Sequence, residues 1–492
     1  MTHPSRRVLF VLHEPGYFRM YGSTIVEMGR RGWDVALAFD RPFKRGSDLQ
    51  VPPGAGHNVR SLGALPGKVS SAAASLRTAL DYLRYLEPSF ARANYLRRRT
   101  EDELPGALRV LTRINGLPRW LITAALSLGR LAERLIPVSR EMLNFVRDLR
   151  PDVIIVSPVV IIGRSGARQT EVTKIGRALG IPVVVGVASW DHLTSKGLIR
   201  VVPDAVTVWN DIQAHEARHL HRIPRSRIIV TGAQPLDHWF TPTAAEVIQT
   251  FRRALGIDDR RRVVLLVGSS RNMAPGDSEV QFVRRWLAAL RASTNADLRT
   301  AFVIVRPHPS NTEQWQDVDL GDPQTIVYPK DYSGMPLSDA EVETFRHSLM
   351  ASSAVVGINT TAMIEAAILR KPVFTVRDAA FDHSQQQTLH FAYLSKDQGG
   401  CVVTANTLGE HVAQLEAVLT GGDAALEVTD TFVERFVRPL GVREPATAHL
   451  CDAIERVAKS PAAFRLKPEA TIEKPATADM WLPPSGGRGT GS

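Results

Sequence analysis

A strand-like run ending in Gly357 hands the chain to Ile358-Asn359-Thr360-Thr361, then to a helical pattern from Ala362 to Arg370 with Pro372 beyond it. Small hydroxyl and amide residues at the first turn of a helix lie where free backbone N–H groups and the positive end of the dipole favour an anion. Asn359, Thr360 and Thr361 are therefore candidates to hold a phosphate. Glu365 follows Thr361 by four residues, one turn down the same face, where a carboxylate can accept both hydroxyls of a ribose. A plain threonine cap with Glu365 as a solvated helix residue is the alternative. Two more strand ends carry related groups. Gly268-Ser269-Ser270-Arg271 offers a small-residue turn and a cation, and Arg306-Pro307-His308-Pro309-Ser310 offers a guanidinium and an imidazole. Both can neutralise a diphosphate as it leaves. Singly, each reads equally well as a surface arginine or a packed histidine; their co-occurrence at carboxyl strand ends is what favours a ligand site.

These residues need parallel strands to carry them. Short β-branched runs alternate with amphipathic helical patterns along the chain, the mark of strand-helix-strand units. Strands are expected at Val8 to Leu12, Val35 to Phe39, Val153 to Val160, Val183 to Val187, Ala205 to Trp209 and Ile228 to Thr231. A second series is expected at Val263 to Gly268, Phe302 to Arg306, Thr325 to Tyr328, Ala354 to Ile358 and Val373 to Val376. The fold class is α/β, with two Rossmann-like, doubly wound parallel-sheet domains facing a cleft. The expected division is 1–240, carrying a mostly helical basic insertion at about 41–150; 241–430; C-terminal helices over 431–459 that cross back to the first domain; and a disordered tail over 460–492. Ligands in such sheets bind at the carboxyl ends of the strands.

The chain has 492 residues, 60 Lys and Arg against 50 Asp and Glu, and 44% hydrophobic residues, a globular composition that excludes a fibrous or largely disordered protein. Two cysteines, Cys401 and Cys451, are too few for a disulfide framework or a thiolate zinc site and suit a reducing compartment. The apolar run near the start is shorter than a signal-peptide core, and no stretch reaches bilayer-spanning length, so a cytoplasmic location is expected. Positive charge gathers between Arg60 and Arg150, with 16 Lys and Arg against 8 Asp and Glu. No interleaved aromatics accompany it, which argues against nucleic acid. Between Pro118 and Val138, Leu121, Ala124, Ala125, Leu128, Leu131 and Leu135 recur at helical spacing, with Arg119, Thr123, Ser127, Arg130 and Arg134 opposite. That helix either lies on the inner face of an anionic membrane, with Trp120 at one end, or packs on its domain with arginines outward.

The Arg-Pro-His-Pro element, the stretch from Gly357 to Pro372, the opening Leu12-His13-Glu14-Pro15-Gly16-Tyr17-Phe18-Arg19 and the loop Ser189-Trp190-Asp191-His192-Leu193-Thr194-Ser195-Lys196-Gly197 together resemble bacterial GT-B glycosyltransferases of surface or capsular polysaccharide assembly. They are more distantly similar to UDP-N-acetylglucosamine 2-epimerases. The resemblance covers Val8 to about Val457, apart from the insertion. It implies a nucleotide-sugar donor in the C-terminal domain, with the diphosphate at Thr360 and Thr361 and the ribose on Glu365, and a glycan or lipid-linked acceptor on N-terminal loops. It implies no metal and no cofactor. An inverting transfer needs a base near the acceptor hydroxyl, for which Asp191, Glu14 and His13 are the candidates, Asp191 first. In the loop from Phe381 to His390, the amides and imidazoles of Gln385, Gln387 and His390 suit sugar hydroxyls. A 2-epimerase, a polyol-phosphate transferase and a non-enzymatic membrane scaffold are the rival readings.

Three other patterns point elsewhere. His215-Glu216-Ala217-Arg218-His219 matches a zinc-protease helix without an evident third ligand, and Asp317-Val318-Asp319 matches a metal-binding transferase motif but sits in a Gly- and Pro-bounded loop. No phosphate-binding P-loop and no Gly-x-Gly-x-x-Gly opening follows a strand, which removes the usual warrant for ATP hydrolysis or dinucleotide redox chemistry.

Overall fold

A computed structural model of the chain describes residues 6–40, 58–113, 118–158, 167–332, 337–421 and 424–460. The tail expected over 460–492, apart from Ser460, and the first part of the insertion lie outside them. The N-terminal sheet contains β1 (Arg7–Leu12), β2 (Asp34–Phe39), β3 (Val59–Ala64), β4 (Val153–Ser157), β5 (Val183–Gly186), β6 (Ala205–Val208) and β7 (Ile228–Val230). They lie side by side in the order β3-β2-β1-β4-β5-β6-β7, every pair parallel. The second sheet contains β8 (Val263–Val267), β9 (Phe302–Arg306), β10 (Thr325–Val327), β11 (Ala354–Gly357), β12 (Val373–Val376) and β13 (Val402–Ala405), in the order β10-β9-β8-β11-β12-β13, again all parallel. The central strands are buried on both faces, as near-continuous Val, Ile and Leu runs require.

Two strands were missed in the sequence. β3 lies inside the segment read as a helical insertion, at the sheet edge, where its half-exposed Val-Arg-Ser-Leu-Gly-Ala lacks an apolar run. β13 is the opposite edge of the second sheet and only four residues long. The C-terminal helices expected over 431–459 are divided by turns: a π-helical turn at Val433–Val437 leads into a turn-rich connection over 438–445, and the final helix spans Ala446–Lys459. That helix packs Leu450, Cys451, Ile454 and Val457 onto the N-terminal sheet and onto Tyr21, Ile25 and Met28 of α1 (Phe18–Arg30).

The insertion contributes α2 (Ser71–Arg84), α3 (Asn94–Asp102) and α4 (Arg119–Leu135). It is fastened by buried charge. Arg77 of α2 bonds Glu133 of α4 and Glu171, and Lys174 bonds Glu133 at 3.1 Å. A buried pair is tolerated when each partner has several such bonds.

Candidate active site

The C-terminal edges of the two sheets face each other across a cavity of about 180 Å³. From the second sheet its walls are Ser270, Asn272, Met273, His308, Asn359, Thr360, Thr361, Thr388 and His390. From the N-terminal half they are Trp190, Asp191, Ser195 and Lys196, with Leu96 and Arg99 reaching in from α3. The two halves touch at the cavity. Trp190 Nε1 donates to Thr361 Oγ1 at 3.1 Å, and His390 Nδ1 meets Thr194 Oγ1 at 3.1 Å with its ring edge-on to Trp190.

The Trp190 loop is shaped by the insertion. Arg84, wholly buried, donates to the carbonyls of Leu193, Lys196 and Gly197, while Tyr85 Oη donates to Lys196 O at 2.6 Å. Asp81 accepts from Leu198 N at 2.8 Å and pairs with Arg200. Glycine suits residue 197, because a Cβ there would sit 2.9 Å from both Asp81 carboxylate oxygens and something would have to shift.

Asp191 caps this loop. Its carboxylate accepts from Ser189 Oγ and Ser195 Oγ, each at 2.6 Å. Burial opposes its charge, yet Lys196, His192, His390 and the Ser189 hydroxyl outweigh burial and hold the carboxyl well below the usual range. Such a group is a weak proton acceptor, so its first rank as a base gives way to an anchoring role. The Lys196 pKa is lowered as well: burial lowers it, Asp191 partly restores it and Arg99 lowers it further.

His13 and Glu14 follow β1. Glu14 is half-exposed and its carbonyl opens the turn by accepting from Tyr17 N. His13 is buried, with Nδ1 3.3 Å from Asp40 Oδ2 at the end of β2 and its ring edge-on to Tyr17. A carboxylate on Nδ1 fixes the tautomer and leaves Nε2 to accept a proton, the arrangement of a general base. Asp40 escaped the sequence reading because it follows an ordinary strand and carries no motif.

On the donor side the sequence candidates divide. Ser270, Asn359, Thr360, Thr361, His308 and His390 line the cavity. Ser310 N and Oγ hold His308 Nδ1 at 3.1 and 2.9 Å, which places the ring proton on Nε2. Burial, with Arg19 nearby, lowers its pKa to about 4, so near neutral pH His308 is an uncharged donor and not the counter-charge expected of it. Glu365 is raised to about 7 by burial, against the pull of Arg19 and the neighbouring Trp239 indole. Arg19 stands on α1 of the N-terminal domain, so a guanidinium from across the cleft is felt at both His308 and Glu365.

Other candidates are turned away. Arg306 is buried between Tyr332 and Phe345 and donates to Ser348 Oγ and Glu341 O, which makes it a prop and not a phosphate ligand. Gln385 spends its amide on Ile358 O, Thr375 Oγ1 and Val376 O inside the core, and Gln387 bonds Asp382 within its own loop. Ser269 is wholly buried, its N–H bonded to Glu279, and Arg271 pairs with Glu313 on the surface. The helix after Thr361 has seven residues, and the N–H groups of Met363, Ile364 and Glu365 already bond the carbonyls of Thr360 and Thr361. The threonine side chains therefore matter more at this end than the helix does.

The zinc-protease pattern does not assemble. His215 and His219 stack in solvent, whereas Glu216 points inward beside Tyr393, and burial raises its pKa to about 8. Among the described residues no group of three or more His, Cys, Asp or Glu is placed to hold a metal ion. Asp319 closes a surface turn onto Gly321 N.

Solved structures share this architecture. A glycosyltransferase from Rickettsia africae ESF-5 matches with a TM-score of 0.50 at 10% identity, over 94% of this chain and 99% of that one. A candidate UDP-N-acetylglucosamine 2-epimerase from Listeria monocytogenes matches with a TM-score of 0.50 at 11% identity, over 96% of this chain and 100% of that one. No family model and no curated protein matches the chain. At such identities the likeness speaks for the fold, which is the GT-B arrangement of two Rossmann-like domains.

Proposed function

We propose that this protein transfers a sugar from a nucleotide-sugar to an acceptor hydroxyl. The observation that carries the reading is the cavity itself, where the hydroxyls, amide and imidazoles of several C-terminal strand ends face Lys196 and Arg99 across the cleft. The diphosphate contacts are assigned to Ser270, Thr360, Thr361 and the neutral His308 N–H, and the ribose to Glu365. Lys196, Arg99 and Arg19 supply positive charge as the bond to the leaving diphosphate breaks, with no resident metal or cofactor in the scheme. His13, oriented by Asp40, takes the proton of the acceptor hydroxyl. The names of the two structural neighbours, both sugar enzymes, agree with this reading. The resemblance in sequence suggests an envelope or surface glycan intermediate as acceptor.

The test is thermal shift against UDP, GDP, CDP, TDP and CMP without added metal, followed by incubation with the matching nucleotide-sugars. One nucleotide should raise the melting temperature of the wild type, and the shift should shrink in Thr361→Ala and Glu365→Ala. Failure of every nucleotide to shift it would sink the proposal. Epimerised nucleotide-sugar formed without an acceptor would replace transfer by the 2-epimerase reading.

A further inference from the structure

α4 does not pack on its domain through Leu128, Leu131 and Leu135, as one of its two sequence readings expects. Ile122, Leu126, Gly129 and Glu133 recur at i, i+4, i+7 and i+11 and are buried against the domain. Leu80 of α2 packs with Ile122 and Leu126, and at Gly129 it leaves no room for a side chain. At about 100° per residue, the side opposite this inner face is held by Trp120, Ala124, Leu128, Leu131 and Leu135. Trp120 is 71% exposed, Leu128 66%, Leu131 52% and Leu135 76%. The leucines read in the sequence as one side of an amphipathic helix thus form its outer surface, and a third face, overlooked there, packs inward.

The charge that α4 itself exposes has one sign. Arg119 and Arg134 are exposed along one flank, and Arg109 and Arg113 are exposed in the segment leading to the helix. None makes an ion pair among the described residues. The one acid of α4, Glu133, is buried on Arg77 and Lys174. A second copy meeting this face across a twofold axis would set arginine against arginine with no acid on α4 to pair them. An anionic surface meets the same face with complementary charge and a place for the leucines.

We infer that the outer face of α4 docks the protein on an anionic lipid bilayer. The helix has 17 residues and no helix among the described residues is long and apolar enough to cross a membrane, so α4 lies in the interface plane with Trp120 at headgroup level. The same insertion links this surface to the cavity, since α2 packs on α4 and its Arg84 holds the loop that carries Lys196. Docking does not depend on which reaction the cavity performs.

The experiment is co-sedimentation of the full chain with vesicles of phosphatidylcholine alone and of equal parts phosphatidylcholine and phosphatidylglycerol. Wild type should bind the anionic vesicles, with a blue-shifted emission component that Trp120→Phe removes. The exposed triple variant Leu128→Gln/Leu131→Gln/Leu135→Gln and the pair Arg119→Glu/Arg134→Glu should each lose about tenfold in partitioning with unchanged melting temperature and nucleotide response. Equal partitioning of wild type and the triple variant overturns the inference. So does a concentration-dependent wild-type dimer that binds no vesicles and is lost in the triple variant, which makes the stripe a self-association surface.

Discussion

At the scale of the residue, direction decides what residue type leaves open. Arg306 and Gln385 have the chemistry of ligand contacts, yet their partners are Ser348, Glu341 and the core carbonyls, and no one-dimensional pattern tells a guanidinium facing a cavity from one facing a helix. His13 was legible as a candidate base; its orienting Asp40 was not, because the two meet only when β1 and β2 pair. On the proposed mechanism, His13→Ala should lower kcat by about 10²–10⁴-fold while the nucleotide melting shift survives, as steady-state kinetics and thermal shift would show. Asp40→Asn should lower kcat in the same assay. Glu216 gives a prediction in pH. Burial raises its folded pKa to about 8, above the ordinary carboxylate value, so the folded state holds a proton that the unfolded state releases. Its contribution to stability is therefore fully present below the unfolded pKa and lost as pH rises through about 8. Glu216→Gln should raise the melting temperature relative to wild type at pH 9 and leave it little changed at pH 4; an equal effect at both would refute the assignment.

At the scale of the element, the insertion is a structural part of the site. Read as a mostly helical basic insertion, it turns out to shape the Trp190 loop through Arg84, Tyr85 and Asp81 and to place Leu96 and Arg99 in the cavity wall. Gly197→Ala should cost about 1–3 kcal/mol in chemical denaturation, since the new Cβ meets the Asp81 carboxylate and the surrounding helix cannot yield freely. Glu133→Ala should cost more, about 3–5 kcal/mol, because Arg77 and Lys174 lose their shared buried partner. If it costs less than Gly197→Ala, the ion cluster is not what ties α4 to the domain.

At the scale of the whole molecule, the two halves are held together at several points. Trp190 bonds Thr361, Tyr95 Oη of α3 donates to Asn272 O at 3.2 Å, and Asp237 gathers Arg438, Ala446 N and Thr447 at the root of the final helix. Asp237→Ala should speed proteolytic cleavage between residues 438 and 446 and weaken hydrogen-exchange protection in the final helix, while leaving protection of β8 and β9 intact. The sequence by itself determined that the protein is α/β and where most of its buried strands run, because parallel strands covered on both faces must be written as short apolar β-branched runs. It also determined that hydroxyl, imidazole and acidic groups cluster just after those strands. Only the tertiary structure decided which of these groups share a cavity, that α3 closes one side of it, and that α4 presents its leucines outward. Each of those facts depends on contacts between segments far apart in the chain, and the helical period of α4 fits more than one inward face until a neighbour such as Leu80 occupies one of them.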